Sequence, residues 1–177
     1  MRVTSTTQNA GETGADTVVV GVFEGEDVAH DVQDGVLQGL LESGEAGRGF
    51  RKVAVAHAEG KRWILLGLGE RERFDAERAR VAAASALSRA RELGTETLCW
   101  EVPHRLDDAV VGGLVEGSVM SAYRFTQFKS DAGDEDDGIG ELLVSAHHDV
   151  SAPVERAALV AAAANSARDL QNTPSNH

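Results

Sequence analysis

Cysteine is nearly missing from this sequence, basic residues are few, and no apolar run is long. One cysteine in 177 residues, Cys99, excludes an internal disulfide framework and the cysteine-rich zinc sites. It lies in the apolar stretch Thr97-Leu98-Cys99-Trp100 and reads as a buried, inert thiol rather than a nucleophile. Lysine and arginine total 17 against 29 aspartates and glutamates, a net charge of −12. Such a surface repels phosphate backbones and no basic cluster offsets it, so nucleic-acid binding is not expected. No apolar stretch approaches the roughly 20 residues that span a bilayer, which excludes a membrane-spanning helix. The first sixteen residues are polar and lack the apolar core of a signal peptide. Residues 1–16 therefore read as a disordered tail, and the expected compartment is the cytoplasm.

What is present is a regular alternation of elements. Asp16 to Gly25 is a nearly continuous β-branched run, the pattern of a buried strand. Val36, Leu37, Leu40 and Leu41 follow at helical spacing, with Gly44 as a stop. Lys52–Ala58 and Arg62–Leu68 read as two strands joined by a tight turn at Glu59-Gly60-Lys61. Ala79, Ala83, Ala86, Ala90 and Leu93 repeat at steps of four and three, with Asp75 as N-cap and Gly94 as terminator. A strand stopped by Pro103 comes next. A second long helix then carries a small face of Leu114, Gly117, Ser118 and Ser121, which lets a neighbouring backbone come close. An acidic loop over 130–140, a strand near Glu141 and a closing helix with Pro153 in its first turn complete the chain. This order predicts a three-layer α/β/α domain around a mixed, largely parallel sheet.

Catalytic motifs are not found. The chain has no Gly-x-Ser-x-Gly, no His-Glu-x-x-His and no Walker sequence. Gly67-Leu68-Gly69-Glu70 resembles the start of a dinucleotide fingerprint, but Glu72 stands where its third glycine belongs, so an ordinary turn is expected. His147 and His148 are adjacent, and neighbours on a strand point to opposite faces, so they do not easily share one ion unless they lie in a loop. No third partner is spaced to complete a site, and with Asp149 they read as surface residues at a strand end. His57 and His104 stand isolated, and Asp134–Asp137 reads as a solvated acidic run. From these residues the expectation is no catalytic, no cofactor-binding and no metal-binding residue in this chain.

Three segments together resemble the N-terminal domain of the leucyl aminopeptidase family, the cytosol aminopeptidases of peptidase family M17. Trp63–Glu70 is similar to the family's apolar strand ending in Gly-x-Gly. Glu116–Lys129 is similar to its Glu-Gly helix leading to Tyr-x-Phe-x-x-(Tyr/Phe)-Lys. Asn165–His177 is similar to its Ala-Arg-x-Leu-x-Asn-x-Pro-x-Asn linker helix, matched by Arg168, Asn172, Pro174 and Asn176. The resemblance implies a macro-domain-like unit over 17–166 and, over 167–177, the start of a linker to a C-terminal catalytic domain that lies outside this chain. That domain would hold two divalent metals (zinc, manganese or magnesium), a catalytic lysine and arginine, and the octapeptide Asn-Thr-Asp-Ala-Glu-Gly-Arg-Leu. The complete enzyme would remove N-terminal residues from peptides and assemble as a hexamer, with this segment inactive alone and serving assembly or regulation. The alternative is a stand-alone macro-like module that binds a nucleotide of the ADP-ribose type.

Overall fold

In a computed structural model, residues 1–125 and 138–173 are described. Six strands form one sheet in the order β1-β6-β5-β2-β4-β3. They are β1 (Arg2–Thr6), β2 (Thr17–Phe23), β3 (Val53–Ala58), β4 (Lys61–Gly69), β5 (Thr97–Glu101) and β6 (Glu141–Ser145). All neighbouring pairs are parallel except β3 with β4. That hairpin turns at Glu59-Gly60, where both residues have positive φ, and it makes the sheet mixed as expected.

The helices are α1 (Val36–Glu42), α2 (Ala76–Glu92), α3 (Asp108–Ala122) and α4 (Ser151–Asn172). Strand alternation divides the apolar residues between two cores. Val19, Phe23, Ile64, Leu66, Leu98 and Trp100 face α2, α3 and α4. Val18, Val20, Val22, Trp63, Leu65 and Cys99 face α1 and the 3-10 turn Ala10–Glu12. The layers are therefore unequal, with three long helices on one side and one short helix on the other.

Local chemistry sets the helix ends. The Asp75 carboxylate accepts from the Arg78 amide at 2.9 Å, and the Asp107 carboxylate from the Val110 amide at 2.9 Å. The alanine stripe of α2 is buried at Ala79, Ala83, Ala86 and Ala90. It packs on the small face of α3, where Gly113 and Gly117 lie against the α2 backbone.

The expected disordered tail over 1–16 is corrected. Arg2–Thr6 pairs in parallel with Glu141–Ser145, and the Arg2 guanidinium meets the Glu141 carboxylate at 2.6 Å. Ala10 and Ala15 are buried, and the Lys61 ammonium donates to the carbonyls of Thr13 and Ala15, each at 2.6 Å. The strand forms because the open edge of β6 supplies backbone partners to a β-branched segment that has little apolar surface of its own. The acidic run Asp134–Asp137 and most of the expected 130–140 loop lie outside the described residues, as do Thr126–Lys129, Pro174 and Asn176.

Candidate functional site

Strands β6, β5 and β2 are parallel neighbours, so their C-terminal ends open on one edge of the sheet. The chain leaves β2 toward β4 on one side and leaves β5 toward β6 on the other. Such a reversal creates a crevice, the usual ligand position in open α/β sheets. Here it is a cleft of about 430 Å³ whose lining includes Phe23, Glu26, Arg71, Glu101, Pro103 and His104. A smaller hollow of about 190 Å³ lies alongside, lined in part by Gln8, His30, Glu101, Ser145 and His147. Glu101 contributes to both.

The three loops that follow these strands each deliver one histidine: His30 after β2, His104 after β5 and His147 after β6. Their ligand nitrogens all lie within 4.8 Å of one another. The His104 and His147 rings stack at 4.1 Å with 12° between planes, and the His30 ring lies 5.3 Å from His104 and 4.9 Å from His147. His30 Nδ1 is bonded to Glu101 Oε1 at 2.5 Å. The Glu101 side chain is only 12% exposed against 35% for His30, so the carboxylate is the fixed member of the pair.

Neighbouring groups hold these loops in place. Asp31, next to His30, accepts from the amides of Val32, Leu37 and Gln38, each at 2.8 Å. Arg71 lies 4.0 Å over the Phe23 ring, grips Glu26 through two bonds and donates to the His104 carbonyl at 2.9 Å. Its charge is thereby matched by Glu26, which holds its own carboxyl below the usual range chiefly through that bond. The Val102 amide donates to the Ser145 carbonyl at 2.8 Å and fastens the loop after β5 to β6.

Burial pushes the Glu101 carboxyl up, partly offset by the bond from His30. His104 is pushed down by desolvation first and then by His147, His30, Arg105 and Arg71. The unprotonated form of His104 that these neighbours favour presents a ring lone pair.

The isolation expected for His104 is corrected, because the fold brings it to His30 and His147. These are separated by 74 and 43 residues, and no local spacing signals the convergence. His147 and His148 lie in the bend after β6 rather than on the strand, so strand alternation does not apply to them; His147 joins the group and His148 does not. The Asp149 carboxylate instead accepts from the Ser151 amide at 2.9 Å at the start of α4. His57 lies on β3. The Gly67-Leu68-Gly69-Glu70 run is a strand end and turn as expected. A Cβ on Gly67 would lie 2.2 Å from the Gly49 carbonyl oxygen and 2.5 Å from that of Gly47, so glycine is needed there for the covering loop. Arg168 donates to the Met120 carbonyl at 2.9 Å, and Asn172 to the Tyr123 hydroxyl at 3.2 Å, so both fasten α4 to the end of α3. Tyr123 in turn donates to Asp169 at 2.8 Å.

Comparison with known proteins identifies the family and the fold. A family model described as "Cytosol aminopeptidase family, N-terminal domain" matches residues 19–132. A probable cytosol aminopeptidase of Roseiflexus castenholzii is 32% identical over 188 residues, covering 99% of this chain and 38% of the relative. One from Rhodococcus opacus is 32% identical over 182 residues, covering 92% and 35%. This chain thus spans little more than a third of the length of these relatives. Among solved structures, a tomato leucine aminopeptidase mutant has a TM-score of 0.77 at 14% identity, covering 99% of this chain and 39% of that one. The bottromycin maturation enzyme BotP in complex with Mn has a TM-score of 0.68 at 24% identity, covering 91% and 32%. Those two likenesses concern the fold. The family model and the matched relatives show that the chain belongs to the cytosol aminopeptidase family, as its N-terminal domain.

Proposed function

We propose that this chain is the non-catalytic part of a metal-dependent aminopeptidase that removes N-terminal residues from peptides, and that it serves assembly and access. The observation that carries this reading is the exposed apolar stripe on α4, the helix bearing the Arg168 and Asn172 matches. Leu159 is 72% exposed and Leu170 is 79% exposed, with Val160 beside them at 53%. The occupant we assign to that stripe is the chain's own C-terminal catalytic domain, because relatives extend well beyond the length spanned here. In the complete enzyme a pair of divalent ions would activate water and polarise the scissile carbonyl. The described residues do not fit such a carboxylate-held pair: their close ligand group is three imidazoles. The proposed whole is a hexamer of the cytoplasm; among the described residues no helix is long and apolar enough to cross a membrane.

Fragment complementation tests the reading. The 177-residue chain and the catalytic portion encoded downstream would be produced separately and mixed with Mn²⁺ and a leucine chromogenic substrate. The expected result is association and leucine release by the mixture, with none from the 177-residue chain. Turnover by the chain alone would overturn the non-catalytic assignment, and failure to associate would overturn the docking role.

The cleft at the β2–β5 reversal favours a second reading, a module that binds a nucleotide of the ADP-ribose class. Glu26, Asp27 and Glu101 in its lining oppose a pyrophosphate, and Arg71 is already matched by Glu26. A rise in melting temperature with ADP-ribose would favour this reading, and no response at millimolar ligand would remove it.

A further inference from the structure

We propose that His30, His104 and His147 bind one divalent transition-metal ion of the zinc class, with Glu101 positioning His30 from behind. The three imidazoles come from loops after three adjacent parallel strands, and their nitrogens already lie within 4.8 Å of one another. Tetrahedral zinc with nitrogens at 2.0–2.1 Å needs ligand atoms about 3.3 Å apart. Imidazole lone pairs lie in the ring plane and the His104 and His147 rings are stacked nearly parallel, so binding requires these two exposed rings to turn out of their stack toward His30.

The bond between His30 and Glu101 argues for a metal over a chance meeting of surface rings. A ligating histidine commonly gives its other ring nitrogen to a carboxylate, which fixes the tautomer and aims the free nitrogen. His30 Nδ1 is taken by Glu101, leaving Nε2 for the ion. Three imidazoles with one buried carboxylate behind them select zinc, cobalt, nickel or copper over calcium and magnesium, which prefer oxygen. Three protein ligands leave a fourth position for water or for a donor from a bound molecule. The two hollows that share Glu101 give such a donor room to approach. A bound ion would join the loops after β2, β5 and β6. This assignment concerns the chain's own residues and stands apart from the assembly role above.

Calorimetric titration of the 177-residue chain with ZnCl₂, repeated with CoCl₂, tests it. The expected result is one equivalent bound with micromolar or tighter affinity, and cobalt d–d bands of a nitrogen-ligated site. His104→Ala and His147→Ala should each weaken binding by at least about tenfold, and the double variant should lose it. Glu101→Gln should weaken it about 10- to 100-fold and shift the cobalt bands, a readout that general loosening of the fold does not produce. His57→Ala serves as the control and should bind like the parent. Circular dichroism and the metal-free melting temperature establish that each variant is folded. Imidazole ¹⁵N shifts of the unmutated chain give an independent reading: zinc should move the His30, His104 and His147 signals and leave His57 and His148 in place. No saturable binding, binding undiminished in the double variant, or shifts confined to His57 and His148 would each overturn the proposal.

Discussion

A Cβ added to Gly117 of α3 would lie 2.3 Å from the carbonyl oxygen of Arg80 on α2 and 2.6 Å from its Cα. Real Cβ atoms do not approach backbone so closely, so the two helices can pack at this distance only without a side chain at 117. Arg80 completes the contact with bonds to Glu116 at 2.6 Å and Glu77 at 2.8 Å.

Gly117→Ala is expected to destabilise the chain, and Gly117→Leu to do so by about 1–3 kcal/mol or more through forced separation of α2 and α3. Gly112→Ala is the contrast: its Cβ would meet only Ala157 Cβ at 3.6 Å, an ordinary contact. There the helix-propensity gain of up to about 1 kcal/mol dominates. Urea titration of the three variants decides the matter. An unchanged midpoint for Gly117→Leu would contradict the packing described.

Asp16 predicts an acid-side loss of stability. One carboxylate oxygen accepts from the amides of Glu96 and Thr97 at 2.9 and 2.8 Å, and the other from the Thr17 hydroxyl and Arg62 at 2.7 and 2.8 Å. Burial alone would raise this carboxyl, but the donors outweigh it and hold it below its ordinary value. A depressed carboxyl stabilises the fold above the unfolded-state pKa of about 3.9, and that contribution fades as pH falls through the lower folded value. Asp16→Asn should cost about 1–2 kcal/mol at pH 7, a modest figure because the side chain is 36% exposed. The gap between variant and parent should narrow below about pH 4. Melting curves across pH 7 to 2.5 measure it, and a constant gap would reject the assignment.

Cys99 should be inert. Burial raises its thiol to about 11, so almost no thiolate exists at pH 8. Reaction with an aromatic disulfide reagent should be limited by unfolding in native buffer and prompt in guanidinium. Stoichiometric reaction within seconds in native buffer would show that Cys99 is accessible.

The stripe on α4 predicts association of the 177-residue chain with itself at high concentration. Leu159→Lys combined with Leu170→Lys should give a monomer without loss of melting temperature, because both side chains are exposed. Sedimentation velocity of parent and variant compares them. Equal profiles at all concentrations would remove the stripe as an adhesive surface.

The fold was legible wherever a local period carried it. The alanine steps of α2, the Asp75 cap and the small face of α3 are all short-range patterns, and each becomes the structure it predicts. Arg2–Thr6 was illegible because a polar edge strand has no apolar signature and its partner lies 139 residues away. The histidine group was hidden for the same reason. His147 and His148 lie past the end of β6, and nothing near either states that His30 and His104 will arrive beside His147. That outcome is set by the strand order, in particular by β5 inserting between β6 and β2.

The placement of β1 has a temporal consequence. As an edge strand it pairs with β6 alone among the described strands, so its backbone groups wait for a partner 139 residues further along the chain before they are satisfied. During synthesis Arg2–Thr6 stay unpaired until residues 141–145 emerge, and a pairing of such large sequence separation closes this edge of the sheet late.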